Sequence, residues 1–354
     1  MRIAYVGNPA VVHIQRWVRE FESRGHVCQL FAPAGPNVQD TAAVPIGVAG
    51  RTGLPSTVIR VLDLRAHLRR FRPDVLHAHY ALGYGTWAAM SGFRPLVVTC
   101  MGSDLLLAPD QSWKSRLKVN LALRSADLVT VNAGHLASAA VRLGASPERV
   151  ARVVQGVCTD IYAPVRRDVR FAEPLLLSTR HLHPIYRIDD LIRAAARLAK
   201  RGHRFGLHLA GRGPDKFNLQ ALVRRLGLGE RVEFLGHLDG EPALAAAYQR
   251  ADIYVSVSQS DGASVALLEA MASGLPVVAS DIPASREWLT AGSGNVLVRV
   301  GDEAHIAAGI EQLLRSPDQR VRAGDRNRRL ALRSAKWPLE MDRMEDLYRR
   351  LKRR

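Results

Sequence analysis

The sequence has little cysteine. Cys28, Cys100 and Cys158 are the only three among 354 residues, and no Cys-x-x-Cys or Cys/His spacing accompanies them. This scarcity excludes a disulfide framework and a zinc site of the usual spacing. Scattered thiols are typical of a protein in a reducing compartment, so we expect a cytoplasmic location.

The chain also lacks long apolar runs. Its first apolar stretch stops at Gly7-Asn8-Pro9, short of the roughly 7–15 residues of a signal-peptide core. No other stretch approaches the roughly 20 apolar residues that cross a bilayer. The sequence therefore predicts a first strand over Ile3–Val6 and no membrane-spanning segment.

Two common phosphate-binding motifs are missing as well. There is no Gly-x4-Gly-Lys-Ser/Thr loop, and the nearest dinucleotide fingerprint, at Gly211-Arg212-Gly213-Pro214, has no third glycine. A P-loop ATPase is therefore excluded, and a dinucleotide-binding enzyme is not indicated.

Acidic residues are outnumbered by basic ones, 33 against 50, which gives a net charge of +17. Only six of the basic residues are lysines, and this bias favours a compositional origin over a nucleic-acid partner. Charge is densest in Arg60–Arg72, on a predicted helix, and in the tail from Arg315. Two interpretations stay open for that helix: an ordinary solvated face, or peripheral contact with an anionic membrane.

Short apolar runs alternate with helical patterns, which is typical of parallel α/β architecture. We expect two doubly wound, Rossmann-like domains: an acceptor-side domain over 1–165 and a donor domain over 166–335. A last helix, within 336–354, is expected to pack back on the first. Ligands of such folds lie at the carboxyl ends of the strands, so we expect the site in a cleft between the two domains.

The segment from Ile253 to Val278 is the most informative. A predicted strand ends in small polar residues, Gly262 permits a sharp turn, and a helix begins near Ser264. Free amides and the positive end of a helix then converge, which favours anion binding. Taken singly, Asp261 or Ser264 is equally compatible with a helix cap, and Glu269 with a surface residue.

Asp261 and Glu269, with Leu268-Glu-Ala-Met-Ala-Ser-Gly-Leu-Pro-Val-Val-Ala-Ser280, resemble the acidic-x7-Glu motif of glycosyltransferase family 4, the group 1 glycosyltransferases. The Asp-Gly-x-Ser form is similar to a variant of bacterial enzymes of surface-polysaccharide type. The resemblance extends over nearly the whole chain and implies a GT-B fold, a nucleotide-sugar donor held mainly by the second domain, retention of configuration, and no metal or other cofactor.

Site roles follow from the resemblance. Asp261 and Asp104 are expected to be catalytic, from the donor and acceptor sides. Arg180 is expected to pair with the donor diphosphate and Glu269 with the ribose. Further donor contacts are expected at Gly211, Gly213, Gly262, Ala263, Ser264 and Val265. Additional contacts are expected at Gly7, His13, Met101, His181, Tyr186, Arg187 and His237.

The chain departs from the family pattern at three of these positions. Met101 stands where many members have His, Tyr186 where they have Lys, and Asp261 where they have Glu. His77 and His79 end a predicted strand, and we expect their rings on opposite faces, unable to share a metal.

The expected function is transfer of a sugar from a nucleotide-sugar, UDP-linked as first choice and GDP-mannose as second. The acceptor is expected to be a glycan, a lipid-linked sugar or a small molecule. The alternatives are a sugar-nucleotide epimerase of the same fold and a non-catalytic sugar-nucleotide-binding protein. An epimerase would convert donor without an acceptor, and a binding protein would neither hydrolyse nor transfer it.

Overall fold

The structure is a computed structural model that describes residues 1–35, 38, 42–47, 56–165 and 173–353. Contacts divide the chain into an N-terminal unit, Met1–Val154 with Met341–Arg354, and a C-terminal unit, Gln155–Glu340. Among the described residues, no helix is long and apolar enough to cross a membrane.

The N-terminal unit is built on seven parallel strands: β1 (Arg2–Val6), β2 (Val27–Pro33), β3 (Val44–Ile46), β4 (Val75–His79), β5 (Leu96–Cys100), β6 (Leu128–Val131) and β7 (Val150–Arg152). Their order in the sheet is β3-β2-β1-β4-β5-β6-β7. Every residue of β4 and β5 is buried, as expected for central strands covered on both faces.

Its helices are α1 (Val12–Ser23), α2 (Ser56–Phe71), α3 (Thr86–Ser91), α4 (Ser103–Leu106), α5 (Ala108–Gln111), α6 (Trp113–Ser125) and α7 (Gly134–Arg142). A π-helical turn, Ala81–Gly85, follows β4, and a 3-10 turn, Pro147–Arg149, precedes β7. Helix α1 is followed by Gly25, whose positive φ ends the helix at little steric cost.

The C-terminal unit has six parallel strands: β8 (Leu175–Ser178), β9 (Gly206–Ala210), β10 (Val232–Gly236), β11 (Ile253–Ser256), β12 (Val277–Ser280) and β13 (Val296–Val298). Their order is β10-β9-β8-β11-β12-β13. The helices are α8 (Ile188–Lys200), α9 (Lys216–Arg225), α10 (Gly240–Arg250), α11 (Val265–Ala272), α12 (Pro283–Arg286), α13 (Glu303–Arg315) and α14 (Pro317–Ser334), with a 3-10 turn at Pro184–Tyr186.

The strand order reverses at one place in each sheet. In the N-terminal unit the reversal lies between β1 and β4, and in the C-terminal unit between β8 and β11. Doubly wound sheets bind ligands at such a switch point, beyond the carboxyl ends of the two strands. The loops that follow these four strands are therefore where site residues are expected.

The last helix, α15 (Trp337–Lys352), begins in one unit and ends in the other. In its N-terminal part the Trp337 amide donates to the carbonyl of Val157. From Met341 onward the helix packs in the N-terminal unit, where the Tyr348 hydroxyl lies 2.5 Å from His77 Nδ1. We expected the domain boundary at 165/166, but residues 155–165 pack with the C-terminal unit, partly because Arg328 donates to the carbonyls of Thr159 and Tyr162. Residue 166 lies outside the described residues.

Two strand predictions differ from the structure. The apolar pattern of the sequence does not predict a strand over Val44–Ile46, and it favours Val153–Val154 for the last strand of the first half, whereas β7 ends at Arg152. Both observed strands have only three residues, and all three residues of β7 are half-buried. Such short edge strands have too little apolar periodicity to be recognised.

Candidate functional site

The loops after β8 and β11 bring Arg180 and Asp261 together at the switch point of the C-terminal unit. The Arg180 guanidinium donates to Asp261 Oδ2 at 2.6 Å and to Ser264 Oγ at 2.7 Å. It also lies over the ring of Tyr186, 4.2 Å from the ring centre. Burial is the largest single influence on the pKa of Arg180 and lowers it, but Asp261, acting together with Tyr254, Tyr186 and Tyr248, holds that pKa above its ordinary value.

Several buried polar atoms at this edge of the sheet have no hydrogen-bond partner in the described part of the chain. They are Arg180 Nε, Ser178 Oγ at the end of β8, Ser258 Oγ after β11 and Ser280 Oγ at the end of β12. Buried polar groups are rarely left unpaired, and each such group requires an explanation. A group of them at a switch point is expected where a polar ligand binds.

Ser264 begins α11. It is the N-cap of that helix, and its hydroxyl accepts from the amide of Leu267 at 3.2 Å. Asp261 accepts from the amide of Gly262 at 2.9 Å, and Gly262 and Ala263 are buried. The first amides of a helix have no partner within it, so the turn from Gly262 to Val265 directs positive dipole ends toward the place where Arg180 lies.

Gly211 and Gly213 allow a close approach between two loops. A Cβ on Gly211 would lie 2.4 Å from the carbonyl oxygen of Arg180, and one on Gly213 would lie 2.1 Å from that of Leu182. The amide of Leu182 donates to the carbonyl of Arg212 at 3.0 Å, which joins the loops. These glycines therefore have a packing role that positions Arg180, and their donor contact stays a prediction.

Glu269 lies half-buried in α11. Its Oε2 accepts from the hydroxyl of Tyr248 at 2.9 Å, and that hydroxyl lies 2.6 Å from Thr179 Oγ1. Burial raises the pKa of Tyr248 well above its ordinary value, and the Glu269 carboxylate adds to the shift, so the tyrosine stays protonated. Sequence reasoning missed Thr179 and Tyr248, because a tyrosine in an amphipathic helix gives the same signal as a core residue.

Tyr186 and Arg187 take different parts from those expected. The ring face of Tyr186 contacts the Arg180 guanidinium. An aromatic ring therefore occupies the position at which many members of the glycosyltransferase family have a charged lysine. Arg187 donates through Nε to Asp190, and this ion pair turns it toward the start of α8. The prediction that Arg187 supplies a second cation to the diphosphate therefore requires that the pair with Asp190 break.

His181 and His237 lie nearer the surface. His181 Nδ1 is 3.3 Å from the carbonyl of Arg212, and partial burial lowers its pKa, with the charges of Arg180 and Arg212 acting in the same direction. His237 is exposed, with Nε2 3.6 Å from Asp239. The structure leaves both histidines accessible and gives neither a fixed role.

Asp104 lies in the short helix α4, and its catalytic role stays a prediction. This residue is wholly buried, and its carboxylate accepts from the amides of Ala81, Met101 and Gly102 at 2.8–3.0 Å. Burial raises the pKa of Asp104, and the amide donors oppose that shift. Asp104 therefore holds the loops after β4 and β5 in shape in this structure.

Gly7 and His13 lie beside the switch point of the N-terminal unit. A Cβ on Gly7 would lie 2.7 Å from Ile14 Cδ1, so the loop after β1 rests closely on α1. His13 is half-buried in the first turn of α1, and burial lowers its pKa to about 4. Met101 is half-buried, and its backbone amide donates to Asp104 Oδ1 at 3.0 Å.

The expectation for His77 and His79 was wrong. Their rings stack at 4.2 Å on one side of the sheet, because residues i and i+2 of a strand share a face. Both are buried, and burial lowers the pKa of His79 to about 3. His77 lies between Tyr348 and Thr99, whereas neither ring nitrogen of His79 has a partner within the described residues. In the same described part, no group of three or more His, Cys, Asp or Glu could hold a metal ion.

The chain matches two families of known proteins. Residues 2–133 match the family described as "Glycosyl transferase 4-like", and residues 166–330 match "Glycosyl transferases group 1". D-inositol 3-phosphate glycosyltransferase 2 of Catenulispora acidiphila is 30% identical over 78% of this chain and 70% of its own length. N-acetyl-alpha-D-glucosaminyl L-malate synthase of Bacillus anthracis is 26% identical over 72% of this chain and 69% of its own.

Two solved structures share the fold over almost the full length. Sucrose-phosphate synthase from Thermosynechococcus elongatus superposes with a TM-score of 0.83 at 19% identity, covering 99% of both chains. Anabaena Alr3699/HepE in complex with UDP superposes with a TM-score of 0.83 at 20% identity, covering 99% of this chain and 100% of that one.

The fold and site thus define an enzyme of the α/β, two-domain GT-B class of glycosyltransferases. The chain belongs to the group 1 glycosyltransferases, of the family 4 type. The predicted family, fold class and enzyme class are confirmed.

Proposed function

We propose that this glycosyltransferase moves a sugar, with retention of configuration, from a nucleoside-diphosphate sugar to its acceptor. The observation that carries the proposal is the Arg180 guanidinium at the switch point between β8 and β11, beside the start of α11. A guanidinium and helix amides are the groups that bind phosphate oxygens. UDP-sugar is the first choice, since HepE was solved with UDP and with UDP-glucose, and GDP-mannose is the second.

Donor binding exchanges one partner of Arg180 for another. In the free protein Arg180 pairs with Asp261, while its buried Nε has no partner in the described residues. A diphosphate brings several acceptor oxygens and more charge than one carboxylate, so it competes for the guanidinium. Asp261 is then released toward the transferred sugar, where it stabilises the positive charge that develops in the transition state.

Glu269 binds the ribose. Its carboxylate already accepts from Tyr248 through Oε2, and it has further acceptor capacity for ribose hydroxyls. The Tyr248 and Thr179 hydroxyls fix its orientation before the donor arrives. Preorganisation of this kind strengthens binding in ground and transition states alike.

The reaction needs no metal. Arg180 and the amides of α11 neutralise the leaving diphosphate, which is the task that a divalent ion performs in other transferases. We expect turnover to survive a chelator. Activity that disappears in EDTA and returns with magnesium or manganese would contradict this part of the proposal.

The acceptor is a glycan, a lipid-linked sugar or a small molecule, and the enzyme works in the cytoplasm in polysaccharide assembly. A putative glycosyltransferase, EpsD of Bacillus subtilis, is 25% identical over 94% of this chain. Other relatives are named for small anionic compounds, malate and inositol 3-phosphate. The net charge of +17 supports peripheral contact with an anionic membrane.

The test is a thermal-shift screen against UDP, GDP, ADP, TDP and their sugars, followed by assays of donor turnover. A ligand that binds only the native state raises the melting temperature. We expect one nucleotide family to stabilise the protein and its sugar to be consumed when acceptor is present. Epimerised donor without acceptor would identify an epimerase, and binding without turnover a sugar-nucleotide-binding protein. Either result would overturn the proposal.

A further inference from the structure

Helix α6 of the N-terminal unit leaves three large apolar side chains in solvent. Trp113, Leu117 and Leu121 are 72%, 60% and 41% exposed. Residues four apart lie on one face of a helix, so the three form a continuous stripe, called here the α6 stripe. The opposite face, with Val119 and Leu123, is buried against the unit. Scattered exposed apolar residues are ordinary, but a contiguous stripe that includes a tryptophan marks a binding surface.

Cations flank the α6 stripe. Lys114, Arg116, Lys118 and Arg124 are all exposed, and the thirteen residues of α6 include no Asp or Glu. A helix with an apolar face, a tryptophan at one end and basic residues at its sides is suited to lie in the plane of a lipid interface. The apolar side chains enter the acyl boundary while the long basic side chains reach the headgroups.

The basic helix α2 is a weaker candidate for the same task. Two of its cations are engaged within the unit: Arg65 donates to the carbonyls of Ser91 and Met90, and Arg60 lies over the ring of Trp87. All residues of α2 are described, and among its large apolar side chains only Leu62, at 37%, is exposed. Helix α2 therefore offers charge without an insertion face.

Helix α3 lies next to both α2 and α6. The side chain of its Met90 is exposed. Arg69 and Arg70, near the end of α2, are exposed as well.

We propose that the α6 stripe inserts into the surface of an anionic lipid bilayer and docks the N-terminal unit there. This deepens the membrane contact proposed above and does not involve the donor site. Charge favours lipid over a second copy of the chain, because a symmetric dimer through this face would bring two sets of four cations together.

Sedimentation with phosphatidylcholine vesicles, with and without phosphatidylglycerol, tests the proposal. We expect wild type to bind only the anionic vesicles, and more weakly as salt rises. The variant Trp113→Gln/Leu117→Gln/Leu121→Gln keeps every charge and should lose about tenfold or more in affinity. Phe217→Gln removes an equally exposed aromatic side chain from the C-terminal unit and should bind like wild type.

Tryptophan fluorescence gives a second readout. Of the five tryptophans, Trp17, Trp288 and Trp337 are buried and Trp87 is half-buried under Arg60, whereas Trp113 is 72% exposed. Brominated phosphatidylglycerol should therefore quench Trp113 most, and Trp113→Phe should lose the larger part of that quenching. The nucleotide-induced thermal shift of each variant separates this test from that of the donor site and confirms folding. Three results would overturn the proposal: wild type that ignores lipid charge, a triple variant that binds like wild type, or a wild-type dimer that the triple variant converts to monomer without any vesicle binding.

Discussion

Each unit is built on its own doubly wound sheet, but the two units differ in the charged groups that lie at the switch point. In the N-terminal unit the strand ends hold no ion pair among the described residues: His77 and His79 are buried with lowered pKa values, and the Asp104 carboxylate is enclosed by backbone amides. In the C-terminal unit the strand ends hold an ion pair, Arg180 with Asp261, and the carboxylate of Glu269.

This difference shows that topology alone does not define an anion site. Both sheets reverse their strand order at one place, but beside it one sheet carries imidazoles whose pKa is lowered by burial. The other keeps a guanidinium charged because a carboxylate faces it. A pair of this kind can exchange its acidic partner for a phosphate, whereas a carboxylate already satisfied by backbone amides has little to gain from a ligand.

The largest expected effect is a fall in the stability of the N-terminal unit in mild acid. His13 and His79 have folded pKa values of about 4 and about 3, so below about pH 6.5 the unfolded chain binds protons that the folded unit does not. The contribution of these neutral histidines to the free energy of unfolding is complete above about pH 6.5 and is lost as the pH falls from there toward their folded pKa values. Each should cost about 2 kcal/mol between pH 7 and pH 5.

Calorimetry at the two pH values measures this fall. The unfolding transition of the C-terminal unit is recognised because bound nucleotide raises its melting temperature. That melting temperature should change less between the two pH values, since the histidines of this unit with lowered pKa, His181 and His208, are less buried. His79→Gln should make the N-terminal transition less sensitive to pH. An unchanged dependence in that variant would show that the histidines are not responsible.

The next effect concerns Asp261. Asp261→Asn removes the charge that stabilises the transferred sugar, so kcat should fall by something on the order of 10²-fold. The same change frees Arg180 from its ion pair, so a nucleoside diphosphate without sugar should bind more tightly than to wild type. Steady-state kinetics and calorimetric titration measure the two quantities. Weaker diphosphate binding in the variant would contradict the proposed exchange of partners.

A smaller effect is expected at the loop that positions Arg180. Gly213→Ala forces a Cβ to within 2.1 Å of the Leu182 carbonyl, so the loops must separate at a cost of about 1–3 kcal/mol. Gly229→Ala is the matched control, because a Cβ there meets nothing within 4 Å. Thermal unfolding should separate the two variants, and equal melting temperatures would show that this close approach does not constrain the loop.

The smallest effect is expected at Glu269. Glu269→Gln should raise the donor KM, by about tenfold, with little change in kcat, because ribose binding is the same in ground and transition states. Asp239→Asn changes an exposed acid of the same unit and serves as the control. A large fall in kcat with unchanged KM would assign Glu269 to the chemical step instead.

Much of this comparison was predictable from the sequence. The first strand, over Ile3–Val6, followed from a short apolar run, and the two doubly wound sheets followed from the alternation of such runs with helical patterns. The loop after β11 was recognised from the sequence because its strand, Gly262, the cap Ser264 and Asp261 are close together in the chain. The pairing of Arg180 with Asp261 was not predicted, because it joins residues 81 positions apart. The enclosure of Asp104 was missed for a related reason: a motif gives a residue type but not the amides that surround it.

The most direct test of the account is the affinity of the protein for nucleoside diphosphates when Arg180 is changed. Calorimetric titration with UDP, GDP, ADP and TDP should find one that binds wild type. Arg180→Gln should weaken the binding of that diphosphate on the order of 10²-fold and should change the affinity for the nucleoside little. The affinity of Arg180→Lys for the diphosphate should lie between those of wild type and Arg180→Gln. If Arg180→Gln binds the diphosphate as tightly as wild type, the switch point of the C-terminal unit is not the phosphate site and the account is wrong.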